Sequence, residues 1–185
     1  MKHSKLIYST AQEWLDHPNK RISLFGMSGV GKTYISNILR NEGNWFHYSV
    51  DYRIGTYYMG EQITDNLKRE AMKNAFLQSL LKSDSISIDS KLSFTNLTPL
   101  SSYLGKPGDR NKGGITFKKY IYRQAQHREA ELGSLRDTSK FINKSATLYN
   151  YNNFICDTSG SICELVDPSD KEDEILRELS SRTLL

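Results

Sequence analysis

Cysteine is scarce. The 185-residue chain has two, at positions 156 and 163, and neither sits in a CxxC pair, so a disulfide-stapled fold is excluded. The four histidines are scattered, at positions 3, 17, 47 and 127, with no HExxH and no Cys/His cluster that suits structural zinc. Four prolines and twelve glycines rule out collagen-like and Pro-rich classes. No apolar run approaches the length needed to span a bilayer, and Met1 to Trp14 lacks the core of a secretory signal. These absences together lead us to expect a cytoplasmic protein with reduced thiols and no membrane partner. What is present is ordinary for a folded domain: 37% hydrophobic and 25% charged residues, with a mean hydropathy of -0.58. The length suits one domain with a real core. A net charge of +4 is too mild to name a partner.

One segment carries chemistry. Gly26-Met27-Ser28-Gly29-Val30-Gly31-Lys32-Thr33 fills every defining position of GxxxxGK[ST]. Its flanks are the ones the motif requires. Arg21 to Phe25 is short and apolar, as a buried strand is. Tyr34, Ile35, Ile38 and Leu39 recur at helical spacing, and Gly43 lies just past them as a stop. Glycines allow a backbone to turn its N–H groups inward around an anion. The following helix aims the positive end of its dipole at the same place. Lys32 is expected to reach the β- and γ-phosphates of a nucleoside triphosphate, and Thr33 to set its hydroxyl on Mg²⁺. The cradle is expected to run from Gly26 to Tyr34.

This segment resembles the P-loop (Walker A) NTPases. The resemblance implies an α/β fold of three layers, α/β/α, with a mostly parallel sheet. Trp45 to Val50 reads as the second strand, and Asp51 stands at its carboxyl end, where ligands bind in parallel sheets. In P-loop kinases such as shikimate and nucleoside kinases, an acidic residue after the second strand contacts the acceptor. The resemblance therefore makes Asp51 a candidate catalytic residue beside Lys32, and Arg53 a candidate substrate contact. A loop Asp capping the next helix or pairing with Arg53 is an equal alternative. Asn153 to Cys156 reads as the third strand, ending in Asp157, a Walker B pattern whose carboxylate holds Mg²⁺ together with Thr33. DYRIG after the second strand and FICDTSGS at the third resemble bacterial proteins known only as ATPases.

The rest of the chain is read more coarsely. Thr10 with Glu13, or Ser9 with Gln12, makes a capping box for a short N-terminal helix laid on the sheet edge. Residues 60–83 read as helix, broken once. The alternating segments 85–89 and 91–95 suggest a β-hairpin, 101–114 a mobile glycine-rich loop, and 117–132 a helix begun at Thr116. From 106 to 144 there are ten Lys or Arg against four acids, a net +6. Such a segment closes over a phosphorylated group, binds nucleic acid, or is simply a solvated helix face. For the helix the last is favoured; for Lys106 and Arg110 on the loop the choice is even. Ser169 to Glu172 reads as a capping box for a final acidic helix.

The expected organisation is a single P-loop NTPase domain over 1–185, with a basic insertion at about 84–145 between the second and third core strands. Arg182 to Leu185 looks like the start of a further strand, so the chain is expected to be C-terminally incomplete. The leading functional reading is an ATP-binding, Mg²⁺-dependent P-loop ATPase or small-molecule kinase with an unidentified phosphoryl acceptor. A GTP-binding switch is the alternative, because Asp157-Thr158-Ser159-Gly160 fits DxxG, although no NKxD follows it. A nucleotide-regulated nucleic-acid-binding protein is the least favoured.

Overall fold

The computed structural model describes residues 6–185 and has a mixed α/β fold. The elements run α1 (Ala11–Asp16), β1 (Arg21–Leu24), α2 (Lys32–Asn41), β2 (Trp45–Ser49) and α3 (Val50–Arg53), then a wide turn over Ile54–Tyr58. They continue with α4 (Gly60–Ala71), α5 (Ala75–Lys82), α6 (Thr98–Leu104), a 3₁₀ turn at Arg110–Lys112 and α7 (Phe117–Arg136). Last come α8 (Thr138–Thr147), β3 (Asn153–Asp157), α9 (Ile162–Leu165) and α10 (Glu174–Arg182). Among the described residues no helix is long and apolar enough to cross a membrane. The chain divides into two compact units, Met1–Asp51 with Glu131–Leu185, and Tyr52–Ala130.

The first unit is built on a parallel sheet in the order β1-β3-β2. Its register pairs Leu24 with Asp157 on one side and Ser49 with Asp157 on the other. The carboxyl ends of all three strands are therefore level. In a parallel sheet that edge is where connections leave and ligands gather, and it fixes the site described below. Phe154, Ile155 and Cys156 of the middle strand are almost wholly buried. Phe154 stacks on Phe46 with ring centroids 5.9 Å apart, and Tyr48 stacks on Phe141 of α8 at 4.7 Å. Leu184 continues the sheet on the free edge of β1, donating to Arg21 O at 2.9 Å and accepting from Ser23 N–H at 2.7 Å. The strand-like reading of the last residues is thus realised as a single bridge.

α1 begins as its sequence indicates, with Thr10 Oγ1 accepting from Glu13 N–H at 3.1 Å. α10 does not. Ser169 spends its hydroxyl and N–H on Asp167, and Asp173 caps the helix, accepting from Leu176 N–H at 2.9 Å. Several acids compete there, and the one immediately before the apolar positions wins. α2 forms where its spacing places a helix. Its period is helical, but Tyr34, Ile35 and Ile38 face outward, while Lys32 and Ser36 are buried.

In the second unit, residues 60–83 break once, at Asn74, which caps α5 by accepting from Phe76 and Leu77 N–H. The hairpin expected at 85–95 is absent. Only Ser93 and Asn96 pair, within one tight turn. The alternation is real but has another cause. Ile86, Ile88 and Ser90 are half-buried and Leu92 is buried, with Ser87, Asp89 and Lys91 exposed between them. An extended chain lying on the helical layer shows the same period of two as a paired strand. Ser90 Oγ meets Thr64 Oγ of α4 at 3.3 Å, and a Cβ at Gly55 would run into the Leu92 side chain. α6 and α8 went unread from the sequence, and α6 takes the first residues of the expected 101–114 loop.

Phe154 is the test of this core. Phe154→Ala is expected to destabilise the chain by about 3–5 kcal/mol, measured by urea unfolding. A loss under about 1 kcal/mol would show that the stacked rings are not packed as described.

Candidate functional site

The loop between β1 and α2 has a conformation that its glycines permit. Gly26, Gly29 and Gly31 have φ of 141°, 87° and 93°, a region that side chains with a Cβ enter only under strain. Gly31 ends the loop as the N-cap of α2 and supplies no side-chain acceptor to the helix. The first N–H groups of a ten-residue helix are therefore left uncapped by any side chain at that position, with the helix dipole behind them. Met27 and Val30 stand out into solvent, as does Tyr34 in the first turn. From these three the loop can use only the backbone. Lys32 is buried and folds back along the loop, its Nζ donating to Gly26 O at 2.7 Å and Met27 O at 3.0 Å.

Next to this loop lies the end of β3. Thr33 Oγ1 donates to Asp157 Oδ2 at 2.7 Å. His47 Nε2 is 3.6 Å from the same oxygen. Sequence reasoning missed His47. Its signal is parity: on β2 it pairs with Ile155, two residues from the Ser49–Asp157 pair, so it shares the Asp157 face of the sheet. Thr158 Oγ1 donates to Leu24 O at 2.6 Å and clamps the turn after β3 to the end of β1. Gly160 presses on the loop itself, and a Cβ there would lie 2.7 Å from Ser28 N and 2.8 Å from Ser28 Cβ. Ser159 is buried, and its hydroxyl has no hydrogen-bond partner among the described residues. A buried polar atom left without a partner costs about 1–3 kcal/mol.

Asp51 stands in α3, two residues past the end of β2. Burial pushes its carboxyl up to about 6, the charge of Asp157 pushes the same way, and Lys32 opposes them. Asp51 therefore feels both Asp157 and Lys32. The structure brings together Gly26 to Thr33, Asp51 and Asp157, the residues the motif reading singled out. Arg53 sets its guanidinium over the Tyr57 ring at 3.6 Å. Cys156 is buried and its thiol is pushed up to about 12, so it is an inert core residue. Among the described residues no three His, Cys, Asp or Glu side chains cluster as a metal site.

The Asp51 carboxyl has a thermodynamic consequence. Its value of about 6 lies above the ordinary 3.8, so the folded state keeps the proton longer than the unfolded chain does. Its contribution to stability is complete below pH ~4 and is lost as the pH rises through ~6, a change on the order of 3 kcal/mol. Asp51→Asn is expected to remove that slope and to raise the melting temperature of the metal-free protein at neutral pH. Parallel pH profiles for the variant and the parent would refute this assignment.

Set against known protein-family models, curated proteins and solved structures, the chain matches none, which leaves the residues of the site as the ground for assigning a function.

Proposed function

We propose that this chain is a P-loop NTPase that binds ATP with Mg²⁺ and transfers or hydrolyses the terminal phosphoryl group. The observation that carries the reading is the hydrogen bond from Thr33 to Asp157 at 2.7 Å, directly beneath a glycine loop whose φ angles are positive at Gly26, Gly29 and Gly31. A hydroxyl that follows a Lys at a helix start, meeting a carboxylate at a strand end, is the donor set that Mg²⁺ shares with nucleotide phosphates. Mg²⁺ takes few protein ligands and keeps waters and phosphate oxygens, which agrees with the lack of a three-residue cluster among the described residues. Thr33 and Asp157 would hold it, and bound there it would neutralise charge on the transferred group.

The remaining roles follow from what each side chain can do. The loop amides and the start of α2 bind phosphate oxygens. Lys32 exchanges the Gly26 and Met27 carbonyls for the β- and γ-phosphates. Asp51 is the candidate base that orients or deprotonates an acceptor hydroxyl or water, because a carboxylate titrating near 6 holds a proton far better than an ordinary one. A three-layer α/β/α arrangement belongs to this reading. It is supported by Phe141 of α8 stacking on Tyr48 while Thr33 of α2 meets Asp157, residues of opposite parity on paired strands.

A GTP-binding switch is the second reading. The contact of Gly160 with Ser28 favours it, since it sets the DxxG segment against the phosphate loop. Competition between ATP and GTP for the purified protein, with magnesium, separates the two.

Lys32→Ala is expected to lower turnover by about a hundredfold or more with an unchanged circular dichroism spectrum. Undiminished hydrolysis in that variant would remove the leading reading. Asp157→Asn is expected to raise the Mg²⁺ concentration for half-maximal nucleotide binding about tenfold or more. A superimposable metal titration would make Asp157 a purely structural residue.

A further inference from the structure

The unit Tyr52–Ala130 contains a cavity of about 530 Å³ that none of the roles above uses. Its walls come from α4, α6, the segment 110–116 and the first turns of α7. Four cations line it, Lys73, Arg110, Lys119 and Arg123, against one carboxylate, Glu70. Glu70 is already engaged, with Lys73 Nζ at 2.5 Å. The walls therefore carry three positive charges in excess. Such a count is not the alternation of signs that a solvated helix face shows.

The site is built rather than incidental. Arg123 is buried, which is rare for an arginine without a dedicated setting. Its Nη2 donates to Asn66 Oδ1 at 2.6 Å, its Nη1 to the Tyr103 carbonyl, and its guanidinium stacks over the Tyr103 ring at 4.2 Å. The opposite wall is pinned too. Ile115 N–H donates to Lys106 O at 2.9 Å, Gly108 N–H to Ile115 O at 3.1 Å and Gly114 N–H to Asp109 O at 2.9 Å. A Cβ at Gly114 would lie 2.7 Å from Gly108 O, so this closure requires glycine. The expected glycine-rich loop thus closes on itself through these bonds, and it brings Arg110 to the cavity. Lys119 registers the crowding. Burial lowers its pKa first, the charges of Arg123, Arg69 and Lys73 lower it further, and Glu70 opposes them. An anion in the cavity relieves that repulsion.

We infer that this cavity binds a small phosphorylated molecule, its phosphate held among Arg110, Lys119 and Lys73 above the fixed guanidinium of Arg123. The charge excess selects a phosphate, which carries about two negative charges at neutral pH, over a monocarboxylate. The volume is that of a metabolite-sized ligand. Nucleic acid is disfavoured because the cations converge on one concavity instead of following a stripe along the surface.

The test uses the full chain carrying Lys32→Ala, so that the glycine loop contributes little, with inorganic pyrophosphate as the probe in calorimetry without magnesium. One pyrophosphate per chain is expected to bind. Lys119→Gln and Arg110→Gln, both at exposed rim positions, are each expected to weaken it about tenfold, and Glu70→Gln is expected to tighten it. Thermal melts confirm that each variant is folded. Absence of binding, or binding indifferent to both rim variants, overturns the inference. So does a single-stranded oligonucleotide of arbitrary sequence that displaces the probe at lower concentration. The result is independent of the ATP reading, which is measured on the chain with Lys32 intact.

Discussion

The hydrogen bond between Thr33 and Asp157 is short because the sheet leaves no alternative. β3 is the middle strand, paired in parallel with β1 and β2, and the register sets Leu24, Asp157 and Ser49 side by side. The glycine loop leaves β1 at Leu24, so α2 must start within reach of Asp157. Loop, carboxylate and the Asp51 helix are then three consequences of one backbone ladder. A slip of one residue in β3 would turn Asp157 to the other face of the sheet and destroy the arrangement. The aromatic stack of Phe46, Phe154, Tyr48 and Phe141 on the opposite parity holds that register by packing. Core and site are thus two faces of the same strands.

The charges at that edge work against one another. Asp51 and Asp157 repel, and Lys32 attracts Asp51 while it donates to the loop carbonyls it touches. An arrangement of this kind costs stability and is retained where it serves chemistry. A divalent cation and a polyphosphate together would change every term. The cation would be held by Thr33 and Asp157, and the phosphates would draw Lys32 away from the carbonyls. On the proposed reading, ligand binding relieves strain that the protein carries alone.

The legible part of the sequence was the glycine motif and the strand ends around it. GxxxxGK[ST] between an apolar strand and a helix placed Gly26 to Thr33, and a strand ending in Asp placed Asp157. Each signal is local, and the parallel sheet turns local position into proximity. What was not legible depended on the third dimension. The alternation at 85–95 looks like pairing because burial on one side of an extended chain has the same period. The apolar residues of α2 predict a helix correctly but not its buried face. Lys32 and Ser36 take the inside, and Tyr34, Ile35 and Ile38 are left out. His47 was invisible because a histidine in a strand acquires meaning only once the register places it beside Asp157.

The same limit explains the basic segment. Counting charges from 106 to 144 gives an excess but no geometry, and a solvated helix was the simplest account of it. That account holds for residues such as Lys118, which is exposed. It fails for Arg123, five residues further along the same helix, which is buried against Tyr103 and Asn66. Burying one guanidinium among further cations, with only Glu70 as an opposing charge on the cavity wall, is unfavourable unless something offsets it. Tyr103 and Asn66 satisfy its hydrogen bonds but not its charge. The uncompensated charge is what separates a binding cavity from a packing detail, and the chain concentrates it where a glycine-closed wall already shapes the space.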